Sequence, residues 1–188
     1  MKPLLRLLLA ACLLSAARAE KIDLGAGRAV LLTVPAAWTA GELPAPPPGV
    51  PIMSKSLRFV TKSGSNDSVM LTLVPVPDDH LADPEVLRAM VDQASQQFVA
   101  GSVEGRVVLK ELKLGPATGF AVTFTDASLV GKPTVKEDYK SMTSCFVYLG
   151  HRVLVSATIF SDDVNGKAYA EALRLLKSIS LQLPGNAI

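Results

Sequence analysis

Residues 138–160 (DYKSMTSCFVYLGHRVLVSATIF) constrain the fold of this 188-residue chain more than any other segment. Two apolar, β-branched runs flank Gly150 and His151, and a two-residue connection with glycine in its first central position is a hairpin signal. Strands are therefore expected over 138–149 and 152–160, with Leu149 opposite Arg152, Tyr148 opposite Val153 and Phe146 opposite Val155. Side chains alternate along a strand. This register gathers Met142, Phe146, Tyr148, Val153, Val155 and Ile159 on one face. Thr143, Cys145, Val147, Leu154, Ser156 and Thr158 fall on the other, more polar face, where Cys145, Ser156 and Thr158 form a candidate ligand groove under a helix. A hairpin alone is marginally stable, so other elements must cover it.

The rest of the pattern supplies them. GAGRAVLLTV at 25–34 reads as a turn and a strand, closed by Pro35 and Trp38. Short strands at 56–60 and 68–74 flank the turn-rich TKSGSND. A helix is expected from Asp83, its N-cap, with Pro84 at the first helical position and Gly101 as its end. Its apolar stripe is Val86, Leu87, Met90, Val91, Ala94 and Phe98. Strands at 106–114 and 117–126 follow, with Phe120, Val122 and Phe124 on one face. A last helix at 167–178 buries Tyr169, Ala172, Leu173 and Leu176, and a tail strand at 179–183 closes the chain. This order predicts a single α+β domain, a largely antiparallel sheet of six to seven strands flanked by two main helices.

The N-terminus reads as an export signal. Lys2 and Arg6 precede an apolar run over 7–14, and Ala17-Arg18-Ala19 is a small-x-small cleavage pattern. The run is too short for a membrane span, which needs about 20 apolar residues. Cleavage is expected between Ala19 and Glu20, with residues 1–19 as signal and 20–188 as the domain, placing the protein in the periplasm. The alternative is a lipoprotein anchored at Cys12, since Leu9-Ala10-Ala11-Cys12 resembles a lipobox. The polar tether that should follow Cys12 is missing.

Composition acquires meaning only after that subtraction. The full chain has 19 Lys plus Arg against 17 Asp plus Glu, a charge of plus two, but Lys2, Arg6 and Arg18 belong to the signal and no acid does. The mature balance is thus minus one. Lys132, Lys136 and Lys140 are interleaved with Glu137 and Asp138, so no basic stripe for nucleic acid remains. Cys145 becomes the single cysteine, which excludes a CxxC redox pair and an internal disulfide and suits a buried thiol in an oxidising compartment.

The VPAAW strand end, the LADPEVLRAMVDQ helix, the CFVYLGHRVLVSATI hairpin and the terminal EALRLLKSISL helix resemble the PsbP-like fold. That fold includes the photosystem II extrinsic subunit, the Ran-binding Mog proteins and small exported DcrB-like bacterial proteins. The resemblance covers most of 21–183 and rests on packing features. It implies an accessory or binding protein and supplies no catalytic set. A cytosolic branch acts as chaperones for secreted toxins, a role the export signal argues against.

Tests for chemistry are negative or open. Cys145 and His151 lie six positions apart along a strand and turn, more than about 10 Å at 3.3 Å per residue, too far for a nucleophile and its base. No GxSxG or SxxK is present. Asp78, Asp79, His80, Asp83 and Glu85 form the best metal-like cluster, yet Asp83 and Glu85 also sit where a helix start wants negative charge. SDDVNG at 161–166 lacks the terminal chelating carboxylates of a calcium loop, and Asp163 or Asn165 is expected to cap the last helix. Gly25 and Gly27 precede a strand, unlike a dinucleotide motif. Asn66-Asp67-Ser68 matches a glycosylation sequon.

No cofactor, metal or catalytic residue is therefore assigned. The expected function is that of an exported, non-enzymatic accessory or binding protein of the bacterial envelope, acting on an envelope protein. The candidate partner surface is Trp38 with Pro46, Pro47 and Pro48, a rigid apolar ledge; the alternative for Trp38 is a core plug. The alternative function is a carrier of a small apolar or lipid-like ligand held at Cys145, Ser156 and Thr158.

Overall fold

The chain opens as a hairpin of β1 (Arg18–Gly25) and β2 (Arg28–Val34), turning through Gly25, Ala26 and Gly27, all with positive φ. The computed structural model describes residues 17–41, 43, 54–136 and 138–185. Then follow β3 (Trp38–Ala40), β4 (Lys55–Thr61), β5 (Ser68–Pro75), α1 (Pro84–Ser95), β6 (Lys110–Leu114) and β7 (Ala117–Thr125). The chain continues as β8 (Ser141–Tyr148), β9 (Val153–Ser161), α2 (Lys167–Lys177) and β10 (Ser180–Gln182).

Two antiparallel sheets result among the described residues. Seven strands run in the order β3-β4-β5-β9-β8-β7-β6, and three in the order β1-β2-β10. The α+β sheet domain with two main helices is as expected, with the small second sheet as an addition. The large sheet is the middle of three layers. On one side Val30, Leu32 and Val34 of β2 and Ala172, Leu175 and Leu176 of α2 close the main core over Val69, Leu71, Val155 and Ile159. On the other, Leu87 and Val91 of α1 pack on Phe120, Tyr148 and Leu154.

Local signals acted as physical chemistry dictates. Asp83 caps α1, its Oδ1 accepting from the Glu85 amide at 2.9 Å, and Pro84 needs no amide partner there. The buried stripe of α1 is rotated from the expected one: Leu87, Val91 and Ser95 are buried, whereas Val86 is 40% exposed. The α-helix ends at Ser95 and passes into a 3-10 turn over Gln96–Gly101, which carries Phe98 outward to 37% exposure. α2 starts at Gly166 without a side-chain cap. Asp163, expected to cap it, accepts instead from the Asn165 amide at 2.9 Å.

The central hairpin forms one residue out of the expected register. Tyr148 pairs with Leu154, Phe146 with Ser156 and Cys145 with Ala157. The Leu149 amide donates to the Val153 carbonyl at 2.9 Å and the Val153 amide to the Gly150 carbonyl at 3.1 Å. The connection thus contains Gly150, His151 and Arg152, with φ of 83°, 51° and 61°. His151 and Arg152 are the central pair of a tight turn with both φ positive, the backbone that matches strand twist. A one-residue shift exchanges faces along one strand relative to its partner.

The expected cut between Ala19 and Glu20 falls inside β1, where Ala19 pairs with Thr33 and Glu20 with Leu32. Cys12 lies outside the described residues. Among the described residues no helix is long and apolar enough to cross a membrane.

Candidate functional site

The register shift divides the expected groove. Ser156 and Thr158 share a face with Met70, Thr72, Phe146 and Phe160, whereas Cys145 shares the opposite face with Val147, Val155 and Ile159. Cys145 is 1% exposed in the main core, and burial pushes its thiol up to about 12. It is a neutral apolar filler, so the three-residue groove is corrected to Ser156 and Thr158 without Cys145.

Trp38 is corrected as well. It is 3% exposed, on the main-core side of the large sheet, and its Nε1 donates to Oε2 of Glu171 at 3.1 Å. An indole so placed is a plug and offers no ledge. Pro46, Pro47 and Pro48 lie outside the described residues.

What the structure does present is a sheet face that the described residues leave partly uncovered. α1 lies over β7 and β8. Beyond it, Met70, Thr72, Ser156 and Thr158 on β5 and β9 are half-buried and belong to neither core. Near the β4–β5 connection this face deepens into a groove of about 510 Å³, bounded by Arg58, Asp67, Met70, Tyr139 and Phe160. Tyr139 stands against Phe160, ring centroids 4.4 Å apart, and its other side borders a second cavity of about 250 Å³ reaching Phe98 and Phe124. Burial, with the charges of Asp126 and Asp138, raises the Tyr139 hydroxyl above its ordinary value.

Hydrogen bonds fix the groove rim. Asp67 accepts from the Ser65 hydroxyl at 2.7 Å and the Ser161 hydroxyl at 2.6 Å. Asp162 accepts from the Thr134 hydroxyl at 2.7 Å, the Asn66 side-chain amide at 3.2 Å and the Lys140 backbone amide at 3.3 Å. The 126–140 loop is thereby tied to the β4–β5 connection. The Asn66 amide also donates to the Val135 carbonyl at 3.0 Å, so it has a structural task. Sequence reading missed Tyr139 as a separate feature because it was placed inside a strand that starts only at Ser141.

The acidic cluster does not converge. Asp78 bonds the His80 ring and accepts its backbone amide at 2.9 Å, while Asp83 caps α1. Asp79 accepts from the Tyr148 hydroxyl and from the Arg152 amide at 3.3 Å, and the Tyr148 bond foremost holds its carboxyl below the usual range. Among the described residues no group of three His, Cys, Asp or Glu side chains is placed to hold a metal ion, and no buried side-chain nitrogen or oxygen lacks a partner.

No protein-family model matches the chain, and no curated protein matches it. Solved structures do. A cyanobacterial PsbP from Synechocystis is similar over 92% of this chain and 96% of its own, with 9% identity and a TM-score of 0.52. A Bacteroides thetaiotaomicron structure is similar over 85% of this chain at 11% identity and a TM-score of 0.50; the chain spans only 47% of that protein. The Ran-binding protein Mog1p of Saccharomyces cerevisiae is similar over 87% of this chain at 14% identity and a TM-score of 0.44. The chain has the PsbP-like fold.

Proposed function

We propose that this protein is a non-enzymatic accessory or binding protein, exported to the bacterial envelope, that engages an envelope protein through the uncovered half of its large sheet. The observation that carries the reading is the groove of about 510 Å³ beside Tyr139 and Phe160, on a face that neither helix closes. Its lining places Arg58, Met70, Tyr139 and Phe160, residue types enriched where proteins meet, beside the acid Asp67. The enzyme reading has little to stand on. The thiol is buried and neutral, and the acidic cluster is spent on a turn and a helix cap. The binding character of other PsbP-like proteins favours the same view, and export rests on the signal pattern in residues 1–19.

A second reading, a carrier for a small apolar or lipid-like molecule, is favoured by volume alone, since ligand pockets begin near about 300 Å³. Thr72, Ser156 and Thr158 would then line its approach. Capture of the exported protein from its native envelope, followed by identification of bound proteins and extracted lipids, separates the two. A stoichiometric protein supports the first reading, a stoichiometric lipid with no protein supports the second, and a free protein contradicts both.

A further inference from the structure

Three cationic side chains from separate elements meet at the corner where the two sheets join. Arg28 opens β2, Lys55 opens β4 and Arg152 lies in the β8–β9 turn, and together they line a cleft of about 130 Å³ walled by Leu73, Val74 and Val153. Register brings them there: Lys55 is opposite Leu73 and Pro75 is opposite Val153, so β4 and β9 flank the end of β5. The cleft is at the other end of β4 and β5 from the groove at their connection.

No carboxylate lines this cleft, and among the described residues none forms an ion pair with Arg28, Lys55 or Arg152. Arg28 Nη1 donates to the His151 carbonyl at 3.1 Å, and Lys55 Nζ donates to the Asp23 carbonyl. These bonds to backbone oxygens fix the positions of the charges without neutralising them. Of the acids outside the cleft, Asp79 accepts from the Tyr148 hydroxyl and the Arg152 amide, Asp78 and Asp79 interact with the Arg152 charge from outside ion-pair distance, and Asp23 accepts from the Gly25 amide at 2.8 Å.

The backbone at Arg152 points the same way. Such a turn is usually Asn-Gly, because residues with Cβ resist positive φ. Here His151 and Arg152 occupy both strained positions. They are held by the Tyr148 hydroxyl, which accepts from the Arg152 amide at 3.0 Å, and by the Val76 amide, which donates to the Arg152 carbonyl at 3.0 Å. Strain that surrounding contacts must maintain is characteristic of functional positions. Keeping Arg152 there adds a guanidinium to the cleft.

We propose that the cleft is an oxyanion site for a phosphate-class group. Two guanidinium forks and one ammonium suit a tetrahedral dianion, and the cleft is of a size for one such group. Free phosphate, and with one charge fewer the phosphodiester of a phospholipid head group, both offer non-bridging phosphate oxygens to these cations.

The test titrates inorganic phosphate into the purified protein against chloride at matched ionic strength, following backbone amide resonances. Saturable, phosphate-specific shifts at Arg28, Lys55 and Arg152 are expected. Arg28→Gln, Lys55→Gln and Arg152→Gly should each raise the apparent Kd about tenfold or more, and Arg152→Gly keeps the turn backbone intact. Circular dichroism identifies any variant that fails to fold, leaving the others to decide. Flotation with phosphatidylglycerol vesicles separates the sources. Binding that free phosphate competes away assigns the site to a head group, and phosphate binding without flotation assigns it to the free ion. Absence of phosphate-specific shifts, or unchanged affinity in the folded variants, overturns the proposal.

Discussion

The indole Nε1 of Trp38 donates to Oε2 of Glu171 at 3.1 Å across the main core, tying the edge strand β3 to α2. Glu171 is only 9% exposed and has Lys167 and Arg174 at 3.9 and 3.6 Å on its outer side. The acid is thus fixed by a neutral donor inside and two cations outside. That leaves Trp38 with no part in a partner surface.

Removing the inner donor should be costly. Trp38→Phe loses the bond and leaves a carboxylate oxygen buried without it, a penalty of about 1–3 kcal/mol. Urea unfolding should show it as a lower midpoint at constant slope. An unchanged midpoint would mean that the bond contributes nothing.

The Cys145 thiol should be inert in the native state. Its value of about 12 means that the thiolate, the reactive form, is absent at pH 8. A disulfide reagent should label it only on unfolding. The raised value also gives a sign for stability. The native state retains the proton where the unfolded thiol has lost it, so this contribution is complete below about pH 8.5 and declines above, by up to about 1.4 kcal/mol per pH unit until pH nears 12. Rapid labelling of folded protein would show that the strand opens.

Relaxing the central turn should stabilise the fold. His151→Asn with Arg152→Gly gives both positive-φ positions residues that favour them and should raise stability by about 1 kcal/mol. Differential scanning calorimetry would register an upward shift in Tm. A fall would show that side-chain contacts of His151 or Arg152 outweigh the strain.

Calcium and zinc should leave the melting temperature unchanged, because Asp78, Asp79 and Asp83 are directed to three different partners. A saturable rise that disappears in Asp79→Asn would contradict this.

The elements of this fold were legible in the sequence wherever a local rule governs. Asp83-Pro84 set the start of α1, and the alternation of Phe120, Val122 and Phe124 set the face of β7. The central hairpin shows the limit. Gly150 signals a turn whether the loop holds two residues or three, and choosing between them decides whether Cys145 joins Thr158 or lies opposite it. That choice depends on distant partners, Tyr148 with Asp79 and Arg28 with the His151 carbonyl. The expected strand at 106–114 likewise shrank to Lys110–Leu114. β1 was hidden for another reason: Arg18, Glu20, Lys21 and Asp23 give it little apolar content as the edge of the small sheet. Tyr139, Arg58 and Asp67 are distant in sequence, and only the assembled sheet gathers them into one groove.

The uncovered face is the centre of this account, and site-specific photocrosslinking tests it most directly. A photoreactive amino acid is placed at Met70, at Thr158, or as a control at exposed Arg174 on α2, and the exported protein is irradiated in its native envelope. The account predicts one discrete protein adduct from Met70 and Thr158 and none from Arg174. No adduct from the sheet positions, or equal yield from Arg174, would contradict it.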